Sequence, residues 1–191
     1  MTLADSQVGC STFAINVLAY PSGTVQRRLS DMQDAIESAA PADSLYRCPA
    51  TTLHLSVFQF VWARSPVGAM DRSAWLGRQG QAVEALARIA SSSPSFVLSQ
   101  ERIHAGESAV FLRFDPSPLL EQLRDGIAAF AADDFPACNR PDIQHITLFR
   151  YRQRVALSEA EAACQRAPAF CDGWKIDRLE LELVQETSTL H

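Results

Sequence analysis

A chain of 191 residues with 47% hydrophobic and 20% charged residues has an ordinary globular balance, long enough to bury a core and too apolar for a disordered chain. Its 17 basic against 22 acidic residues, a net charge of −5, argue against a broad phosphate-tracking surface and so against duplex DNA, while leaving room for a small or short anionic ligand. No stretch approaches the roughly 18 apolar residues of a membrane span, and the opening MTLADSQVGC has no export signal, so no membrane association and a cytoplasmic location are expected. The five scattered cysteines (Cys10, Cys48, Cys138, Cys164, Cys171) include no C-x-x-C pair and read as small hydrophobes.

In chain order, Phe13–Tyr20 is a short apolar strand closed by Pro21-Ser22-Gly23, and helical spacing follows to about Ala40. A long strand is expected after Pro49 towards Arg64, with Leu53, Leu55, Val57 and Val61 on one parity and His54, Ser56, Phe58, Phe60 and Trp62 on the other. A helix from Asp71 to about Ser92, capped by Asp71 or Ser73, ends at Ser93-Pro94. Ser95–His104 and Ser108–Asp115 read as a hairpin around Ala105-Gly106-Glu107, followed by a helix from Ser117 to Ala132. Ile143–Arg152 is a further strand, Ser158–Ala167 a helix capped by Ser158 with Glu161, and Trp174–Val184 a closing strand with Leu179, Leu181 and Leu183 on one side and Arg178, Glu180 and Glu182 on the other. Strands and helices interleave throughout, which predicts an α+β class with mixed or antiparallel sheets.

The chemistry lies in a repeated tripeptide, His54-Leu55-Ser56 and His145-Ile146-Thr147, each in an expected strand. Alternation sets imidazole and hydroxyl on one face, roughly 6.5–7 Å apart along the chain, where they can hold one substrate group between them. Two imidazoles suit a reaction that needs a base on the attacking side and an acid on the leaving side near neutrality. Two hydroxyls add hydrogen-bond donors for the same substrate group. Alternation places Arg150 opposite His145 unless the strand twists, bulges or ends there; otherwise Arg150, Arg152 and Arg154 form a solvated stripe. Phe58 and Phe149 share parity with His54 and His145, which makes each either a base-stacking residue or a core residue. His104, in a hairpin loop without a hydroxyl partner, and the terminal His191 have no assigned role.

The segments FAINVLAYP, TLHLSV, FVLSQERIHAG, SAVFLRF, QHITLFR and WKIDRLELELV, with the helix from Pro118 to Ala132, together resemble the two-histidine (2H), LigT-like phosphoesterase superfamily along nearly the whole chain. That superfamily includes the RNA 2′,3′-cyclic phosphodiesterases long called 2′-5′ RNA ligases. The resemblance implies one bilobal domain over 1–191, two pseudo-symmetric lobes around a central cleft, with His54 and His145 catalytic, Ser56 and Thr147 binding phosphate and Arg150 helping to hold it. It also implies His145 as base and His54 as acid, and a 2′-phosphate as the common product on RNA ends. Gln144, where relatives often have Pro, and Ser56, where Thr is commoner, mark a divergent branch.

The expected activity is therefore metal-independent hydrolysis of a 2′,3′-cyclic phosphate on a nucleotide or short RNA end, or of a related small cyclic phosphodiester, by a monomer without a cofactor. The alternative is a non-catalytic module that binds nucleotides or RNA ends in the same cleft. A zinc hydrolase lacks its H-x-E or H-E-x-x-H signature, a cysteine hydrolase lacks a motif around any cysteine, and no phosphate-cradling glycine loop is present for ATP-driven ligation.

Overall fold

The computed structural model describes residues 1–2, 12–61, 72–132, 134–135, 138–169 and 173–186. These build, in chain order, β1 (Thr12–Ala19), α1 (Gly23–Ala39), β2 (Leu45–Arg47), β3 (Leu55–Val61), α2 (Arg72–Ser92), β4 (Phe96–Leu98), β5 (Gln100–Ala105), β6 (Ala109–Phe114), α3 (Pro118–Ala131), β7 (His145–Tyr151), α4 (Leu157–Cys164), β8 (Trp174–Ile176) and β9 (Glu180–Glu186). The class is α+β. Among the described residues every strand pair is antiparallel.

Seven strands form one sheet in the order β5-β6-β7-β3-β1-β9, with β2 also against β7, while β4 and β8 pair separately. The two halves of the sheet meet where β3 adjoins β7. Helix α1 buries Leu29, Met32, Gln33 and Ile36, and α3 buries Leu120, Leu123, Arg124, Ile127 and Ala131, the stripe expected of helices lying on a core. Helix α3 packs on β3 and α2, whereas α1 packs on β2, β7 and α4. Each half of the sheet is thus backed by a helix that follows a strand of the other half, so neither half keeps its apolar face covered without the other.

Local chemistry explains the helix ends. Ser117 Oγ accepts the Leu120 N–H at 3.4 Å and Pro118 occupies the first turn of α3, where a missing N–H costs nothing. The last helix starts earlier than its Ser158 suggests: Ala156 is the cap residue of α4, and its N–H donates to Glu159 Oε2 at 3.3 Å. The expected Asp71 cap lies outside the described residues, as do Cys10, Cys171 and His191.

Three expected strands are interrupted. A 3-10 turn at Ala50–Thr52 occupies the start of the long strand, so β3 begins only at Leu55. The first hairpin strand breaks at Ser99, whose carbonyl accepts the Asp115 N–H at 2.9 Å, so that β4 leaves to pair with β8. The closing strand breaks likewise, β8 joining β4 and β9 joining β1. Its expected facial alternation beyond Glu180 concerns side chains outside the described residues. His104 lies within β5 rather than in the hairpin loop.

Candidate active site

The pairing that joins the two halves is Leu55 with Ile146, antiparallel. Continued one step to either side, that antiparallel register sets Ser56 against His145 and His54, just before β3, against Thr147. Leu55 and Ile146 point into the core, both fully buried, so all four polar side chains share the other face and all are half-buried. The two histidines are diagonal neighbours, a relation that separates positions by roughly 7–8 Å. Each imidazole thus has a hydroxyl along its own strand and another across the ladder.

A bulge just beyond each tripeptide redirects the side chains of the residues after it. On β7, Thr147 pairs with Phe111 but Phe149 pairs with Val110, leaving Leu148 as the extra residue. On β3, Ser56 pairs with Leu18 but Phe58 with Val17, leaving Val57 extra. Each bulge reverses the alternation. Consequently Arg150 and Gln59, each five residues beyond a motif histidine, return to the histidine face, while Phe58 and Phe149 turn into the core with no exposed surface. The expectation of Phe58 or Phe149 as base-stacking residues is corrected accordingly. Gln59 is engaged by its neighbours, donating to Asn16 Oδ1 at 3.3 Å and accepting from Asn139 Nδ2 at 2.6 Å.

The backbone groups around the bulges are served by two fully buried polar side chains. From α3, Arg124 donates through Nε to the Val57 carbonyl at 3.1 Å and through one terminal nitrogen to the carbonyls of Ser56 at 3.1 Å and Ile143 at 3.2 Å. From α1, the Gln33 amide donates to the carbonyls of Cys48 at 2.8 Å and Leu148 at 2.9 Å. Arg124 is in turn held by Glu121 at 2.9 Å, whose carboxylate also receives Gln144 at 3.0 Å and Arg140. The unusual Gln144 therefore belongs to the network that supports the site from behind. Neither Gln33 nor Arg124 was singled out from the sequence, although each is a polar residue on the apolar stripe of its helix.

The same arrangement of strands and helices occurs in solved structures. The chain superposes on TT0787 of Thermus thermophilus (TM-score 0.59, 14% identity, 92% of this chain and 97% of that one). It superposes equally on E. coli LigT complexed with 3′-AMP (TM-score 0.57, 16% identity, 95% and 99%) and with phosphate (TM-score 0.57, 14% identity, 95% and 99%). The chain has the LigT fold. No family profile and no curated protein matches the sequence.

Within this LigT fold each imidazole has its Nδ1 beside the carbonyl two residues earlier, hydrogen-bonded at His54 and only adjacent at His145. His54 Nδ1 lies 2.8 Å from the Thr52 carbonyl, which can only accept, so Nδ1 carries the proton. His145 Nδ1 is buried beside the Ile143 carbonyl without completing a hydrogen bond. Burial above all, and then the positive charges of His54, Arg150 and Arg124, depress the His145 pKa to about 4 against the pull of that carbonyl. His145 is therefore neutral at pH 7 and has the protonation state of a base. Burial raises Glu121, but Gln144 and the guanidinium groups of Arg124 and Arg140 outweigh it and hold the carboxyl below its usual range.

Aromatic rings flank both histidines. Tyr20, just beyond β1, meets the His54 ring edge-on at 6.0 Å, and Phe111 of β6 meets His145 at 5.2 Å. Phe111 also stacks on His104 of β5 at 5.3 Å with the rings 10° from parallel. Gly106 leaves the room this needs, since a Cβ there would lie 2.9 Å from the Phe111 ring. Among the described residues, no group of three His, Cys, Asp or Glu is placed to hold a metal ion, and no helix is long and apolar enough to cross a membrane.

Proposed function

We propose that the protein is a metal-independent cyclic phosphodiesterase that opens the 2′,3′-cyclic phosphate of a nucleotide or a short RNA end to a phosphomonoester. The observation that carries this reading is the antiparallel pairing of Leu55 with Ile146, which sets His54, Ser56, His145 and Thr147 on one face. The likeness in fold to a protein crystallised with phosphate and with 3′-AMP supports a nucleotide-sized phosphate ligand.

In the proposed reaction His145, neutral, takes a proton from a water whose oxygen attacks phosphorus. His54, protonated, gives its proton to the ribose oxygen leaving on the opposite side as the P–O bond breaks. The hydroxyls of Ser56 and Thr147 donate to the non-bridging oxygens, which gather charge as phosphorus becomes five-coordinate. Arg150 adds positive charge on the same face. The enzyme ends with the proton moved from one imidazole to the other, and exchange with solvent resets the pair.

The test is turnover of 2′,3′-cyclic nucleotides and of a short oligonucleotide ending in a cyclic phosphate, in EDTA, with products identified by phosphorus NMR. The expected outcome is chelator-resistant conversion to a monoester that collapses in His145→Ala. Absence of turnover on every cyclic phosphate, or turnover abolished by EDTA and restored by a metal, overturns the reading.

A further inference from the structure

The cross-strand ladder extends the site beyond the two motifs. From Ser56 and His145 the row continues through Arg113 of β6 to Arg102 of β5, while in the other direction it passes Leu18 of β1 and ends at Glu180 of β9, which is ion-paired to Arg178 at 3.3 Å. The face is therefore electrically lopsided. One flank of His145 carries two guanidinium groups on adjacent strands and the other ends in the Arg178–Glu180 ion pair. With strands about 4.8 Å apart, Arg113 stands one strand from His145 and Arg102 two, a run of roughly 10 Å. Two guanidinium groups opposed across a strand pair offer planar sets of donors that a phosphate lying over them can take together. Arg102 is exposed, and its Nε donates to His104 Nε2 at 2.8 Å, which fixes the guanidinium beside the His104–Phe111 stack. Beyond β5 lies an open groove of about 540 Å³ against α4, lined by Arg102 and His104 on the β5 side and by Glu161 and Gln165 on the other.

We propose that Arg113 and Arg102 form a second anion subsite, which takes the 5′-phosphate of the nucleotide whose cyclic phosphate lies between the two histidines. This rests on the cyclic phosphodiesterase reading and names its substrate class: a terminal nucleotide carrying a phosphate on its 5′ side, free or as the link to the preceding nucleotide, in preference to a nucleoside cyclic monophosphate. The chain continues over β6 and β5 towards the groove and away from Glu180. A 5′-phosphate laid over β1 and β9 instead meets Leu18 and the Arg178–Glu180 ion pair.

The test is calorimetric binding of adenosine 3′-monophosphate and adenosine 3′,5′-bisphosphate to the wild-type protein, Arg102→Gln, Arg113→Gln and, on the opposite margin, Arg178→Gln, together with turnover of 2′,3′-cyclic AMP with and without a 5′-phosphate. The bisphosphate is expected to bind wild type about tenfold or more tightly than the monophosphate, as a charge-assisted pair of contacts implies. That ratio should fall towards unity in Arg102→Gln and Arg113→Gln and persist in Arg178→Gln, and kcat/KM for the two cyclic substrates should follow the same pattern. Equal binding of the two ligands by wild type, or a ratio untouched by both arginine variants, overturns the subsite while leaving cyclic phosphate turnover as it stands. Failure of wild type to bind either ligand or turn over either substrate overturns the cyclic phosphodiesterase reading and the subsite together.

Discussion

Replacing Arg124 with Met removes the donors that serve the β3 bulge while keeping a side chain of similar length. Three backbone carbonyls, of Ser56, Val57 and Ile143, lose a donor in a site with no exposed side-chain surface, and Glu121 loses one of its two guanidinium partners. At about 1–3 kcal/mol for an orphaned buried group, with the low end for the Ser56 and Ile143 carbonyls whose bonds are only part-buried, the three losses come to roughly 3–5 kcal/mol, while Glu121, a third exposed, keeps Arg140 and Gln144. For a chain of this size that lowers Tm by about 6–20 °C, measurable by circular dichroism. Arg124 also carries one of the charges that depress His145, so its loss should move the acid limb of kcat/KM upward in pH at a temperature where the variant remains folded. Arg124→Lys restores a charge without the planar fork that reaches three carbonyls, so it should recover more of the acid limb than of the Tm. A Tm within about 2 °C of wild type in Arg124→Met, or an unmoved acid limb, refutes this double role for Arg124.

Gln33→Leu should lower stability by about 1–3 kcal/mol, less than Arg124→Met because the Leu148 carbonyl keeps the Cys48 N–H at 3.0 Å; urea titration reads it. Because His145 titrates near 4 when folded and near 6.5 when unfolded, the unfolded chain binds the extra proton between those values; Tm should fall as pH drops from 6.5 towards 4, and His145→Gln should flatten that slope. Glu121, held low in the fold, adds a further loss at still lower pH, as its carboxylate is protonated. Thr147→Val and Ser56→Ala should each slow single-turnover cleavage on the order of 10²-fold with circular dichroism unchanged; full rates in both would remove the hydroxyls from the phosphate site.

The tripeptides were legible because an imidazole and a hydroxyl two residues apart interrupt an apolar run on one parity, and the apolar stripes of α1 and α3 were legible from helical spacing. The bulges were not. A bulge persists where its carbonyls find donors, and here the donors come from Arg124, 67 residues from Val57, and Gln33, 115 residues from Leu148. Strict alternation carries Phe58 and Phe149 to the wrong face and leaves Arg150 at the site only if a bulge intervenes, and the extra residue on each strand decides both. The clue was present as a polar residue on each helical stripe, Gln33 beside Met32 and Arg124 beside Leu123, positions a core helix fills with apolar side chains unless the backbone opposite needs a donor. His104, Phe111, Arg102 and Arg113 gain their relation to His145 only through the β5-β6-β7 register, which local sequence does not encode.

The central claim is that the two motifs act as one catalytic unit, and single-turnover rates of wild type, His54→Ala, His145→Ala and the double variant on a 2′,3′-cyclic nucleotide test it most directly. Each single variant should lose on the order of 10²- to 10⁴-fold, and the double variant should be no more than about tenfold slower than the worse single one, since removing either imidazole already disables the pair. Near-full activity in either single variant, or losses that simply multiply in the double, would contradict a shared site built on the Leu55–Ile146 pairing.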